Sequence, residues 1–182
     1  MSDKVLLDSQ LLSITIDRLC FQLIENHHSF DHAVLIGVQP RGIFLSEKIH
    51  HRLQELTSLT TIKHGKLDIT FHRDDFRRRE EPLTASSTEI NFIIEDKNVI
   101  LIDDVLYTGR TIRAALDAIL AFGRPRNVEL LTLIDRKFSR QLPVQADYVG
   151  ASVDAITSQK IKVKWKHTDG VDEVILFTPE NK

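Results

Sequence analysis

The stretch Val99-Ile100-Leu101-Ile102-Asp103-Asp104 constrains the fold of this chain more than any other. A short apolar run with no polar alternation suits a strand buried on both faces. The paired acids then mark its C-terminal end. Such a strand needs a layer above and a layer below, and the chain supplies them. Residues 111–122 read as a helix, with Ile112, Leu116 and Ile119 on one face and Gly123 as its stop. Residues 9–27 form an amphipathic helix on Leu12, Ile16, Leu19 and Leu23, with Asp8 and Ser9 able to cap its start. A further helix runs from Gly42 to about residue 56, with Ile43, Ile49, Leu53 and Leu56 facing inward. Residues 33–38 and 128–134 are apolar runs like the first. Strand–helix–strand alternation over residues 34–134 predicts an α/β fold, a parallel sheet flanked by helices on both faces.

The remaining segments are less regular. Residues 67–72 alternate apolar and polar, which predicts a half-buried strand. Residues 73–91 carry Arg77, Arg78, Arg79, Glu80, Glu81, Pro82 and a Ser/Thr cluster, none of them core-forming, and read as a long loop. After Pro143 the period shortens. Residues 147–177 read as short strands and turns, with Trp165 packing them onto the sheet. No repeat or linker divides the 182 residues, so one domain is expected: a core over about 5–146 and a small β-rich C-terminal hood over about 147–182.

Composition excludes several classes. The 24 basic and 26 acidic side chains leave a formal net charge of −2, with no global attraction to nucleic acid or anionic membrane. The single Cys20 rules out a disulfide framework and any Cys-based zinc site, and fits a reducing compartment. No apolar run approaches the ~18 residues of a membrane span. Too few apolar residues follow Met1 for a signal peptide, so a cytoplasmic protein is expected. Of the 8 histidines, no group has credible metal-ligand spacing with other donors.

The chemistry gathers behind the acid pair. Tyr107, Thr108, Gly109, Arg110 and Thr111 form a short loop that opens a helix. Its backbone N–H groups and hydroxyls can ring a phosphate at the helix N-terminus. Gly109 lets the backbone approach an anion closely. Two carboxylates beside a phosphate cup suit a sugar phosphate, the hydroxyls on the acids and the phosphate on the amides. The plainer alternative is an ordinary strand–helix turn with solvated acids. The spacing is neither that of a Walker loop nor that of a dinucleotide fingerprint.

This segment resembles the phosphoribosyl-pyrophosphate (PRPP) signature of type I phosphoribosyltransferases. Gln39-Pro40-Arg41-Gly42, Arg73-Asp74-Asp75, Gly123-Arg124-Pro125, Asp135-Arg136 and Ala146-Asp147-Tyr148-Val149-Gly150 occur in the order of one branch. That branch is the bifunctional pyrimidine operon attenuator/uracil phosphoribosyltransferase family. The resemblance implies the type I fold and transfer of phosphoribose from PRPP to uracil, giving UMP. It implies that Asp103 and Asp104 bind the ribose hydroxyls and, through PRPP and water, Mg²⁺. Residues 108–111 would hold the 5′-phosphate, joined along the loop by Val105, Leu106 and Tyr107. Pro40, Arg41 and Gly42 would form the pyrophosphate loop, with a cis Gln39–Pro40 bond. By its place in the long loop Arg73 is a candidate to close over the pyrophosphate as a lid, with a solvated charged loop as its alternative. Arg136, after a strand end, is a candidate substrate contact with a surface ion pair as its alternative. Tyr148 would stack on the base and the Val149 backbone would bond its edge.

The resemblance further implies self-association as a dimer or larger, and RNA as a partner. Gln145 and Ala151 stand where the family carries basic residues, so phosphate contacts are lost and RNA binding is expected to be weak. Other readings of the same scaffold are a purine specificity, a regulator, and a nucleotide-binding protein with little catalysis.

Overall fold

A computed structural model describes residues 3–74, 86–156 and 158–179. Five parallel strands form the main sheet: β2 (Ala33–Val38), β3 (Lys63–Leu67), β4 (Asn98–Leu106), β5 (Asn127–Lys137) and β6 (Tyr148–Asp154), in the order β3-β2-β4-β5-β6. Helices α1 (Ser9–His27) and α2 (Gly42–Thr57) cover one face and α3 (Arg110–Ile119) the other. Strand β4 shows why the apolar runs are unbroken. Ile100 and Ile102 pack toward Leu19 and Leu45, while Val99 and Leu101 pack toward Ile112 and Ala115. Both faces of the pleat are interior, so polarity cannot alternate along it.

The Asp8 carboxylate accepts from the Leu11 amide at 2.8 Å, the cap expected at the start of α1. Helix α3 ends at Ile119 and passes through a 3₁₀ turn, Leu120–Phe122, before Gly123 turns the chain at φ 138°.

Three expectations need correction. Residues 67–72 are not a strand: β3 stops at Leu67, and Thr70–His72 is a 3₁₀ turn. Asp68 causes the break, because its carboxylate accepts from both the Thr70 amide (3.1 Å) and the Thr70 hydroxyl (2.6 Å). The apparent alternation ends with Phe71 on the surface. Strand β6, expected in the hood, is an edge strand of the main sheet. The small antiparallel sheet is instead β1-β8-β7, from β1 (Lys4–Leu7), β7 (Lys160–Lys164) and β8 (Glu173–Phe177), so the N-terminus completes the hood. A short helix, α4 (Lys166–Asp169), joins β7 to β8. Trp165 is fully buried in the cluster shared by the hood and helices α1 and α2.

Candidate active site

Strand β4 carries Asp103 and Asp104 to the end of the sheet where parallel strands open onto a crevice. Both are buried, at 7% exposure. The Asp103 carboxylate accepts from the Asp104 amide at 3.0 Å. Burial and the adjacent Asp104 charge raise the Asp103 carboxyl well above the usual carboxylate range, against the pull of that amide, Arg73 and Arg41. Burial also raises Asp104, with Arg41 opposing it. Two acids held this way suit a ligand that supplies hydroxyls or positive charge.

The loop after β2 lies against them. The Gln39–Pro40 bond is cis, as expected. Arg41 donates from Nε to the Asp104 carboxylate at 3.2 Å and from Nη2 to the Val163 carbonyl in the hood. Gly42 begins α2, and its Cα touches β4 so closely that no side chain fits there.

Beyond the acids, a cleft of about 280 Å³ is lined by Arg73, Asp74, Asp103 and residues 105–112. The structure therefore brings Asp103, the loop Tyr107 to Thr111, and Arg73 to one cavity, while Asp104 lies outside its lining and bonds Arg41. Gly109 caps α3 at φ 91°, where a side chain would be strained. Arg110 reaches back to Asp74 at 2.5 Å and to Gln141 at 2.8 Å. A larger groove of about 460 Å³ lies between α1 and α2. Its charges pair internally, Arg52 with Asp17 and Lys48 with Asp172, and no strand end opens into it. The smaller cleft is the chemical one.

Arg136 sits on β5 at 4% exposure, its guanidinium 4.0 Å from the centroid of the Tyr107 ring. Nη2 donates to the Ile156 carbonyl at 3.4 Å, while Nε is buried with no hydrogen-bond partner among the described residues. The surface ion pair considered for it is therefore not what holds it. Arg140, not singled out from sequence, grips the Tyr107 carbonyl and Asp135. Thr132 and the carbonyls of Ile156 and Val163 were equally hidden. Backbone groups and single polar residues carry no spacing signal.

Tyr148 and Val149 do not take the places expected of them. Tyr148 opens β6, and its side chain is buried in the cluster that includes α1. Its hydroxyl donates to Glu129 at 2.7 Å, accepts from Asn26 at 2.9 Å and lies 3.3 Å from His27 Nε2. A ring so fixed, on the face that α1 covers, cannot stack on a base in the cleft beside α3. The Val149 carbonyl accepts from Arg18 at 3.2 Å, two strands away from the acids. The run Arg77 to Arg79 lies outside the described residues.

Among the described residues no helix is long and apolar enough to cross a membrane. Nor do three His, Cys, Asp or Glu side chains gather among them as a metal-binding group.

The phosphoribosyl transferase domain family matches residues 3–168. A protein of Haemophilus ducreyi named "Bifunctional protein PyrR" is 41% identical over 179 residues, 98% of this chain and 99% of that one. Its namesake in Enterococcus faecalis is 40% identical over 176 residues, 97% of each chain. Among solved structures, the hypoxanthine phosphoribosyltransferase of Trypanosoma cruzi superposes with a TM-score of 0.73 at 15% identity, covering 98% of both chains. At that identity the likeness speaks for the fold. The match to the relatives runs nearly end to end, and on that ground the chain belongs to the PyrR family of phosphoribosyltransferases.

Proposed function

We propose that this protein transfers the phosphoribosyl group of PRPP to uracil, releasing pyrophosphate and forming UMP. The observation that carries the reading is one cleft lined by buried Asp103, with buried Asp104 next to it on β4, and by a glycine-capped helix N-terminus. The acids take the ribose hydroxyls, and the amides and hydroxyls of residues 108–111 take the 5′-phosphate. Arg41 and Arg73 then lie where charge builds on the departing pyrophosphate. A base nitrogen displaces pyrophosphate at the anomeric carbon through an oxocarbenium-like transition state. The protein contributes placement, charge stabilisation and exclusion of water.

The donors fit Mg²⁺, since Asp103 and Asp104 offer hard carboxylate oxygens in a place where burial disfavours their charge. Bound with PRPP, the ion would screen the leaving pyrophosphate, and the two acids would hold it through PRPP and water.

Arg136 favours an oxo-base. A buried guanidinium over the Tyr107 ring beside the cleft, its Nε with no hydrogen-bond partner among the described residues, supports donation to a carbonyl of the base. Such a donor suits uracil and also a 6-oxopurine, so purine specificity is the competing reading. Incubating the protein with PRPP, Mg²⁺ and each of uracil, hypoxanthine, guanine and xanthine tests the choice. UMP formation with uracil alone supports the proposal, and a purine nucleotide as the main product overturns it.

For the second function of a bifunctional relative we propose weak RNA binding. Gln145 and Ala151 are uncharged, and nearby cations are engaged internally: Arg18 by the Val149 and Gly150 carbonyls, Arg140 by Asp135 and the Tyr107 carbonyl. Filter binding of pyrimidine leader RNA with and without UMP should give weak, salt-sensitive retention. Tight UMP-stimulated binding at physiological salt would reject this half. We also propose a homodimer or larger assembly in the cytoplasm, which sedimentation and fractionation test.

A further inference from the structure

Thr132 lies on β5 directly across the ladder from Asp103. It is fully buried, and its neighbours Leu131 and Leu133 are equally so. A hydroxyl in such a place destabilises the fold unless both its donor and its acceptor are used. Here both are. Oγ1 accepts from the Leu106 amide at 3.1 Å and donates to the Ile134 carbonyl at 3.1 Å, with the Asp104 carbonyl 3.5 Å away.

The location gives this bond pair its meaning. Leu106 is the last residue of β4, and Tyr107 begins the cup. The hydroxyl therefore stands between an amide of β4 and a carbonyl of β5, beside the acids. If strands part, backbone groups need new partners, and water cannot supply them this deep in the core. A threonine hydroxyl both gives and accepts a bond, so it can tie the end of β4 to β5 while the ladder runs on to Leu106 and Asp135.

We infer that Thr132 is a positioning residue: its hydroxyl sets where β4 leaves the sheet and thereby places the phosphate cup relative to Asp103 and Asp104. No substrate contact is involved. The identity of the anion in the cup rests on the phosphoribosyl reading above, whereas the effect on the end of β4 does not.

Two substitutions separate the hydroxyl from packing. Thr132→Val keeps the branched shape and deletes the hydroxyl, while Thr132→Ser keeps the hydroxyl and deletes a methyl group. Three quantities are measured on the full chain: PRPP dissociation constant without base, kcat and KM for PRPP with uracil, and hydrogen exchange of the Leu106 amide. For Thr132→Val we expect PRPP Kd and KM to rise about tenfold with kcat held within about twofold, the pattern of lost binding rather than lost chemistry. Leu106 exchange should accelerate about tenfold or more in the same variant. Thr132→Ser should stay within about twofold of the parent in all three. If the valine variant does not fold, the Thr132→Ser and Thr132→Ala pair makes the same comparison.

Unchanged PRPP binding and unchanged Leu106 exchange in Thr132→Val would overturn the inference. So would equal losses in the valine and serine variants that simply follow their melting temperatures. A parent protein that binds no PRPP, with Leu106 still deprotected by valine, would reject the phosphoribosyl reading while supporting the role of Thr132.

Discussion

Gly42 and Asp103 are in contact across the gap between α2 and β4. A Cβ on Gly42 would stand 2.9 Å from the Asp103 Cα and 2.5 Å from the Ile102 carbonyl oxygen. Both obstacles are backbone of a central strand, which cannot turn aside as a side chain can. The bare Cα is what lets the loop after β2 approach the acids.

Gly42→Ala should therefore displace the start of α2 from β4. A displacement near 1 Å at reacting groups costs on the order of 100-fold in rate, so turnover should fall by roughly 10- to 100-fold. Steady-state kinetics alongside a thermal melt would check it. Parent-like turnover in a folded variant would mean that the contact does not set the site.

Asp104→Asn should lower turnover about tenfold or more, a barrier increase of about 1.4 kcal/mol. Stability should hold or rise slightly, because burial already disfavours the Asp104 charge. Arg41, its partner, has a side chain 43% exposed and can be solvated. Denaturant melts and kcat measured on the same preparation separate the two effects.

Tyr148→Phe tests the corrected position of that ring. The lost hydroxyl leaves Glu129, Asn26 and His27 without a shared partner. A stability loss of about 1–2 kcal/mol is expected. KM for the base should not move, because the ring faces α1. A large rise in that KM would restore the stacking role.

His64 makes stability depend on pH. It lies on β3, 2.9 Å from the Ser46 hydroxyl, and stacks on His50 with centroids 4.9 Å apart. Burial, with the nearby His50 second, lowers its pKa from 6.5 to about 4. Folding therefore favours the neutral ring. Above pH 6.5 neither state is protonated and the full stability is present. As pH falls from 6.5 toward 4 the unfolded chain takes up the proton first, so stability declines through that window. The loss by pH 4 is about 2–3 kcal/mol from this group. Urea melts at pH 7.5, 5.5 and 4.5 should show the decline, and His64→Gln should flatten it. An unchanged pH slope in the variant would assign the effect to other groups.

The doubly buried strands, the three long helices and the acid–glycine–helix segment were legible in the sequence because each rests on local periodicity or on adjacent residues. Val99 to Ile102 has to be a covered strand, but the acids do not end it: β4 runs two residues past Asp104, to Leu106, still paired with β5. Gly109 ahead of a helix was legible as a point of close backbone approach, and it takes up a left-handed conformation that glycine adopts without strain. The contacts between distant segments were not legible. Leu67, Ile69 and Phe71 alternate like a strand, and only the Asp68 side chain turns the backbone away. Residues 4–7 gave no signal, since a short edge strand is defined by its partner, here β8. Tyr148 follows a family-like motif, but the side of the sheet it faces depends on register with β5, where one residue's shift reverses every side chain. Arg136, 29 residues from Tyr107 in sequence, meets it only because adjacent strands end side by side. Which residues are candidates for a sugar phosphate could be read from neighbouring side chains, because that chemistry is local. Which groups face the cleft was decided by tertiary structure, because strand register and packing set direction, and neither is encoded locally.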